Sequence, residues 1–121
     1  MTKSVSELAA DVLGVRLGVV DINKSPTAAQ RARVQSLYDQ KYAEMSRFDR
    51  TYWPTDEIPD LVFGALSRII AEEMCPGFGM QVPMEPDETG QPVSIGTKGR
   101  FMLNRILATE ATGLPVRATY F

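Results

Sequence analysis

Apolar residues recur at helical spacing in four separate stretches, and the residues between them are of the kinds that start and stop helices. Ser4 followed by Glu7 has the spacing of a capping box, in which each side chain satisfies an orphan backbone donor of the other residue. Val5, Leu8, Ala9, Val12 and Leu13 then fall on one face, and Gly14 is placed to end this first short helix in the left-handed conformation. From Val15 to Lys24 apolar residues continue without a helical period, which predicts an extended connection. Ser25-Pro26 restarts the helix, serine as cap and proline at the first position, where its missing N–H is no loss.

The second helix is expected to be the long one. Its apolar face runs Val34, Leu37, Tyr38, Lys41 by its stem, Tyr42, Met45 and Phe48, with Gln30, Arg31, Arg33, Gln35 and Asp39 outward. Tyr52-Trp53-Pro54 stops it, because the residue before proline is pushed out of helical geometry. Asp56-Glu57-Ile58-Pro59-Asp60 places carboxylates and a proline where the positive end of the next helix favours them. That third helix runs to about Met74 on Leu61, Val62, Ala65, Leu66, Ile69, Ile70 and Met74. Phe63 widens the stripe, which marks the most buried helix, and Pro76, Gly77 and Gly79 terminate it.

Residues 81 to 98 hold three prolines, two glycines and the acidic run Glu85-Pro86-Asp87-Glu88, a composition that makes turns. A last helix is expected over roughly Thr97 to Ala111, with Met102, Leu103, Ile106 and Leu107 on one face and Gly113 as its stop. The fold class that follows is mainly α. It is a small bundle of about four helices in a single domain over residues 1–113, with an extended loop or hairpin arm near 80–98. An extended tail, 114–121, ends on two aromatic residues.

Composition narrows what such a bundle does. The chain has 121 residues, enough for one core, with 44% hydrophobic and 23% charged residues, as in ordinary globular proteins. A net charge of -2 supplies no excess positive charge for a phosphate backbone. The single cysteine, Cys75, has no internal disulfide partner, and no secretion signal or membrane-length apolar run is visible. Arginines outnumber lysines, as favoured where contacts are bidentate or partly desolvated.

Chemistry is sparse. There is no histidine, which removes the commonest general base, the Ser-His and Cys-His nucleophile pairs and the commonest metal ligand. The carboxylate clusters Asp56, Glu57, Asp60 and Glu85, Asp87, Glu88 match no calcium loop and are read as helix-start charge and a solvated turn. Gly96-Thr97-Lys98-Gly99-Arg100 lacks the order of a phosphate-binding loop, and Gly77-Phe78-Gly79 follows a helix rather than a strand. The reading is a non-enzyme with no catalytic, cofactor or metal residues, whose business is contact with other proteins.

At Trp53-Pro54-Thr55-Asp56-Glu57-Ile58-Pro59-Asp60, followed by Leu66, Ile69, Ala71 and Cys75-Pro76-Gly77-Phe78-Gly79, the chain resembles the head-to-tail adaptor proteins of tailed phages. The likeness extends over Ser4 to Gly79. It includes the short first helix ending near Leu13-Gly14-Val15, Ser25-Pro26 before a long helix, and the helix opening on Ile58-Pro59-Asp60. The resemblance implies a structural virion protein: a ring, typically dodecameric, beneath the portal of a capsid or gene-transfer particle. Such a ring extends the DNA channel and offers a platform to a downstream tail or stopper protein. It would assemble in the bacterial host cytoplasm, with DNA passing through unread and no membrane involved.

Family members commonly reach the portal with their C-terminal region, which would assign portal binding here to Leu114, Pro115, Val116, Arg117, Ala118, Thr119, Tyr120 and Phe121. A closed ring needs two complementary patches on each subunit. Arg47 and Arg50 on helix two, and the aromatic and acidic approach to helix three, Tyr52, Trp53, Asp56, Glu57 and Asp60, are the candidates. A tail-completion or stopper protein, a small helical DNA-binding regulator using helix two, and a carboxylate-metal enzyme are the alternatives.

Overall fold

The computed structural model describes residues 2–20, 26–47 and 51–112, with 109–112 by backbone alone. Four helices and two short β pairs make up the described fold, so the chain is mainly α, as its periodicity predicts. Strand β1 (Thr2–Lys3) leads into α1 (Val5–Ala10), which carries the expected capping box: Ser4 Oγ accepts from Glu7 N–H and Glu7 Oε2 from Ser4 N–H. The helix does not end at Gly14. It continues through Asp11–Arg16 as a π-helical stretch, and the left-handed turn comes at Gly18, whose φ is 67°. The wider turn has a visible gain. Asp11 and Arg16 are five residues apart and would not share an α-helical face, yet here they pair at 3.3 Å.

Residues 17–20 fold back on this stretch, with the N–H groups of Val19 and Val20 donating to the carbonyl of Leu13. The extended connection expected from Val15 is therefore not what residues 15–20 form: Val15 and Arg16 are helical, and 17–20 turn back on that stretch. Residues 21–24 of that connection, and Ser25, the expected cap of the next helix, lie outside the described residues.

Helix α2 (Ala28–Ser46) is capped by Thr27 rather than Ser25: Thr27 Oγ1 accepts from Gln30 N–H, and Gln30 Oε1 from Thr27 N–H. The box works at Thr27 because its partner glutamine stands three residues on. Val34, Leu37 and Tyr38 are buried and Tyr42 and Met45 half-buried, while Gln35 and Asp39 face outward. The helix stops at Ser46, ahead of Tyr52-Trp53-Pro54, and Phe48 lies outside the described residues.

Strand β2 (Ile58–Pro59) pairs antiparallel with β1 and opens α3 (Asp60–Met74). This helix is the centre of the molecule, burying Val62, Ala65, Leu66, Ser67, Ile69, Ile70, Ala71 and Met74 against α1, α2 and α4. Leu61 departs from the expected stripe and is 64% exposed. The core side of the first turn is taken by Val62, which leaves its neighbour on the outer flank. Phe63 is half-buried under Lys3, whose ammonium stands 5.5 Å from the ring centre. A 3-10 turn (Cys75–Phe78) and Gly79, at φ 63°, end the helix as its sequence predicts.

The proline-rich arm is a hairpin, β3 (Met84–Pro86) with β4 (Pro92–Ser94). It leads directly into α4 (Ile95–Thr112), which buries Leu103 and Leu107 against α3. Gly99 makes that approach possible. A Cβ there would stand 2.7 Å from the carbonyl oxygen of Ala65.

Candidate functional site

The stretch between α2 and α3 carries most of the residues assigned to subunit contact, and an aromatic cluster built from α2 shapes it. Tyr38 and Tyr42 stand one helical turn apart, with ring centres at 5.9 Å, and Trp53 packs edge-on to Tyr42 at 6.1 Å. Tyr38 Oη donates to the Thr55 carbonyl at 2.6 Å and accepts from Trp53 Nε1 at 3.1 Å; Tyr42 Oη donates to the Trp53 carbonyl at 2.6 Å. Three hydrogen bonds thus fix the course of residues 53–55. Burial, partly offset by the Trp53 N–H, pushes the Tyr38 hydroxyl up to about 12, so it stays a neutral donor at ordinary pH.

On this frame the sequence-assigned residues separate by role. Trp53 is 4% exposed and belongs to the core, supporting Tyr52, which packs edge-on to it at 5.1 Å and is 45% exposed. Asp56 faces solvent, but its Oδ1 accepts the N–H of Val5 at 2.9 Å, so it serves the start of α1 rather than that of α3. Glu57 and Asp60 are exposed and form no ion pair among the described residues. Arg47 is exposed just past the end of α2, and Arg33 is exposed on its outer face. Arg50 and all of Leu114 to Phe121 lie outside the described residues. The exposed groups among these are therefore Tyr52, Glu57 and Asp60 before and at the start of α3, and Arg33 and Arg47 on and just past α2.

The remaining chemical candidates have structural partners. Glu85 accepts from Arg68 Nε at 2.8 Å and lies 3.6 Å from Lys98 Nζ. Burial would raise its carboxyl, yet the Arg68 hydrogen bond and the charges of Arg68, Lys98 and Arg16 hold it below the ordinary range. Asp87 Oδ1 ties the hairpin turn through Thr89 and Gln91, and Glu88 pairs with Arg105. Among the described residues no three His, Cys, Asp or Glu side chains converge as a metal site, and no helix is long and apolar enough to cross a membrane.

Gly96-Thr97-Lys98-Gly99-Arg100 forms the first turns of α4, and protein groups already fill its start. Ser94 Oγ accepts from Thr97 N–H, and Glu72 Oε1 accepts from Gly96 N–H at 3.0 Å. Cys75 is buried, its Sγ donates to the Ala71 carbonyl, and burial pushes the thiol up, away from a reactive thiolate.

One feature escaped the sequence pattern. The hairpin turn and α4 enclose an open groove of about 330 Å³, lined by the apolar Val93, Phe101 and Met102 and by the charged Asp87, Glu88, Lys98 and Arg105. Phe101 is 51% exposed because it lies off the stripe of Leu103 and Leu107. A large aromatic residue beside an otherwise complete helical stripe is the signal that marks it.

Comparison with protein-family models, with curated proteins and with solved structures gives no match for the chain.

Proposed function

We propose that the protein is a head-to-tail adaptor: a non-enzymatic virion protein of a tailed phage or phage-like particle that forms a ring beneath the portal. The observation that carries this reading is the order of parts shared with the adaptors it resembles. A short capped helix, a long polar-faced helix, an aromatic turn and a buried helix closed by Gly79 follow one another along the stretch where the likeness lies. Exposed charge of both signs that forms no ion pair among the described residues supports it further, since Arg33 and Arg47 on the α2 side and Glu57 and Asp60 before and at the start of α3 are what a head-to-tail contact uses.

In this reading the subunits close a ring, dodecameric in the family resembled. The ring extends the DNA channel without reading sequence, and a tail or stopper protein docks on its far side. Residues Leu114 to Phe121 reach the portal, with Tyr120 and Phe121 as aromatic anchors.

Native mass spectrometry of the protein, alone and mixed with portal rings from the particle-producing strain, tests the proposal. Addition to the portal in a fixed copy number is expected. Deleting Arg117 to Phe121 is expected to leave a folded chain that no longer adds. A chain that stays unbound under every condition in which the portal is intact overturns the reading.

A further inference from the structure

We propose that the groove between the β3–β4 turn and α4 seats residues 114–121 of the same chain. This seat does not depend on the adaptor reading, because it concerns the free subunit.

The groove is lined mainly by apolar surface, to which Val93, Phe101 and Met102 contribute. Water covers half of a phenylalanine there, although α4 has already buried its own stripe on α3. The chain that continues beyond Thr112 has matching chemistry: Leu114, Val116, Tyr120 and Phe121 are apolar, and none of the eight residues from Leu114 is acidic. Arg117 is the single charged side chain among them; Glu88 and Arg105 in the groove lining already pair with each other and Lys98 with Glu85, which leaves Asp87 as the carboxylate that favours its sign.

The distances permit this occupant. Phe101 lies about 17 Å back along the helix axis from Thr112, at 1.5 Å per residue. Residues 113–121 span up to about 30 Å when extended, so the segment reaches past Phe101 with length to spare. Ala108, which follows Phe101 and Arg105 at helical spacing, is exposed and too small to block the path. An extended apolar segment lying along a helix beside a hairpin buries Phe101 without any change in the described fold.

The test uses a nitroxide attached to Thr119→Cys in the full chain. Cys75 is fully buried and does not compete for the label. In nuclear magnetic resonance spectra the signals of Phe101 and Met102 are expected to lose most of their intensity, while those of Val34 and Leu37 in α2 keep theirs. Phe101→Glu in the labelled chain should restore the Met102 signal. Full intensity at both Phe101 and Met102 overturns the proposal. So does a loss that appears on unlabelled chains mixed with labelled ones and fades on dilution, since the occupant is then a second copy. The experiment contains no portal, so failure here and failure of the adaptor reading are separate results.

Discussion

The carboxylate of Glu72, in the last turn of α3, accepts the backbone N–H of Gly96, in the first turn of α4, at 3.0 Å. The negative group therefore sits at the positive end of the helix that follows, and Arg100 at 3.6 Å holds it from the other side. A Cβ on Gly96 would stand 2.5 Å from that carboxylate. Glycine is what lets the two helices meet closely enough for one to cap the other, and Gly99 repeats the device one turn on.

Alanine at these glycines separates close approach from helix propensity. Gly99→Ala should destabilise by about 1–3 kcal/mol, because the obstacle at 2.7 Å is the Ala65 backbone carbonyl, which cannot rotate away. Gly64→Ala should change stability by less than about 1 kcal/mol, since alanine suits a helix interior but its Cβ would stand 3.3 Å from the Arg68 guanidinium, which Glu85 and the Gly64 carbonyl hold in place. Urea unfolding of both variants checks that Gly99→Ala is the costlier change. A stabilised Gly99→Ala chain would show that the helices do not meet as described.

The helices and most of the core were legible because periodicity reports burial, and α3, the most strongly patterned, buries the residues its spacing selects apart from Leu61. What was not legible depends on partners distant in sequence. Gly14 reads locally as a helix stop, but the pairing of Asp11 with Arg16 and Ser67 carries the helix past it. Asp56 reads as charge for the nearest helix start and in fact caps α1, 51 residues away. The phosphate-loop-like glycines before Arg100 became intelligible only with α3 beside them. Of the candidate site, Tyr52, Glu57 and Asp60 were found as exposed groups, whereas the burial of Trp53 follows from tyrosines on α2 that the local sequence does not reveal.

The two roles among the acidic residues before α3 are separable by substitution. Asp56→Ala should cost about 1 kcal/mol, the usual loss for an N-terminal cap, because the Val5 N–H is left without its acceptor. Glu57→Lys should leave stability within about 0.5 kcal/mol, as for an exposed side chain that forms no ion pair among the described residues. Under the adaptor reading it should nevertheless weaken addition to the portal ring. Thermal unfolding together with native mass spectrometry checks both; a Glu57→Lys chain that adds normally would remove Glu57 from the subunit contact.

Alkaline stability should report Tyr38. Its hydroxyl is pushed from 10.0 up to about 12 in the fold, so the unfolded chain ionises first. The contribution of Tyr38 is then fully present below pH 10.0 and is lost as pH rises through about 12. Absorbance titration should show a late tyrosinate phase from Tyr38. Tyr38→Phe should remove that phase and lower neutral-pH stability by about 1–3 kcal/mol, because Trp53 Nε1 and the Thr55 carbonyl lose their partner. A single common tyrosine transition in the wild-type chain would contradict the buried hydrogen-bonded arrangement.

Acid stability should report Glu85, which joins the hairpin to α3. Its carboxyl titrates below the ordinary 4.5 because the hydrogen bond and charge of Arg68, helped by Lys98, outweigh the burial that would raise it. A depressed acid stabilises the fold above its unfolded pKa, and that contribution disappears as pH falls through the folded value. Glu85→Gln should therefore cost about 1 kcal/mol near neutrality, discounted because the pair is partly exposed. The variant should also lose less stability than the wild type below pH 4.5. Asp87 titrates low as well, through the Thr89 hydroxyl and the N–H groups of its turn, so the acid dependence left in Glu85→Gln belongs in part to the turn. Chemical denaturation across this pH range distinguishes the cases, and parallel curves for the two chains would mean that Arg68 does not hold Glu85 in solution.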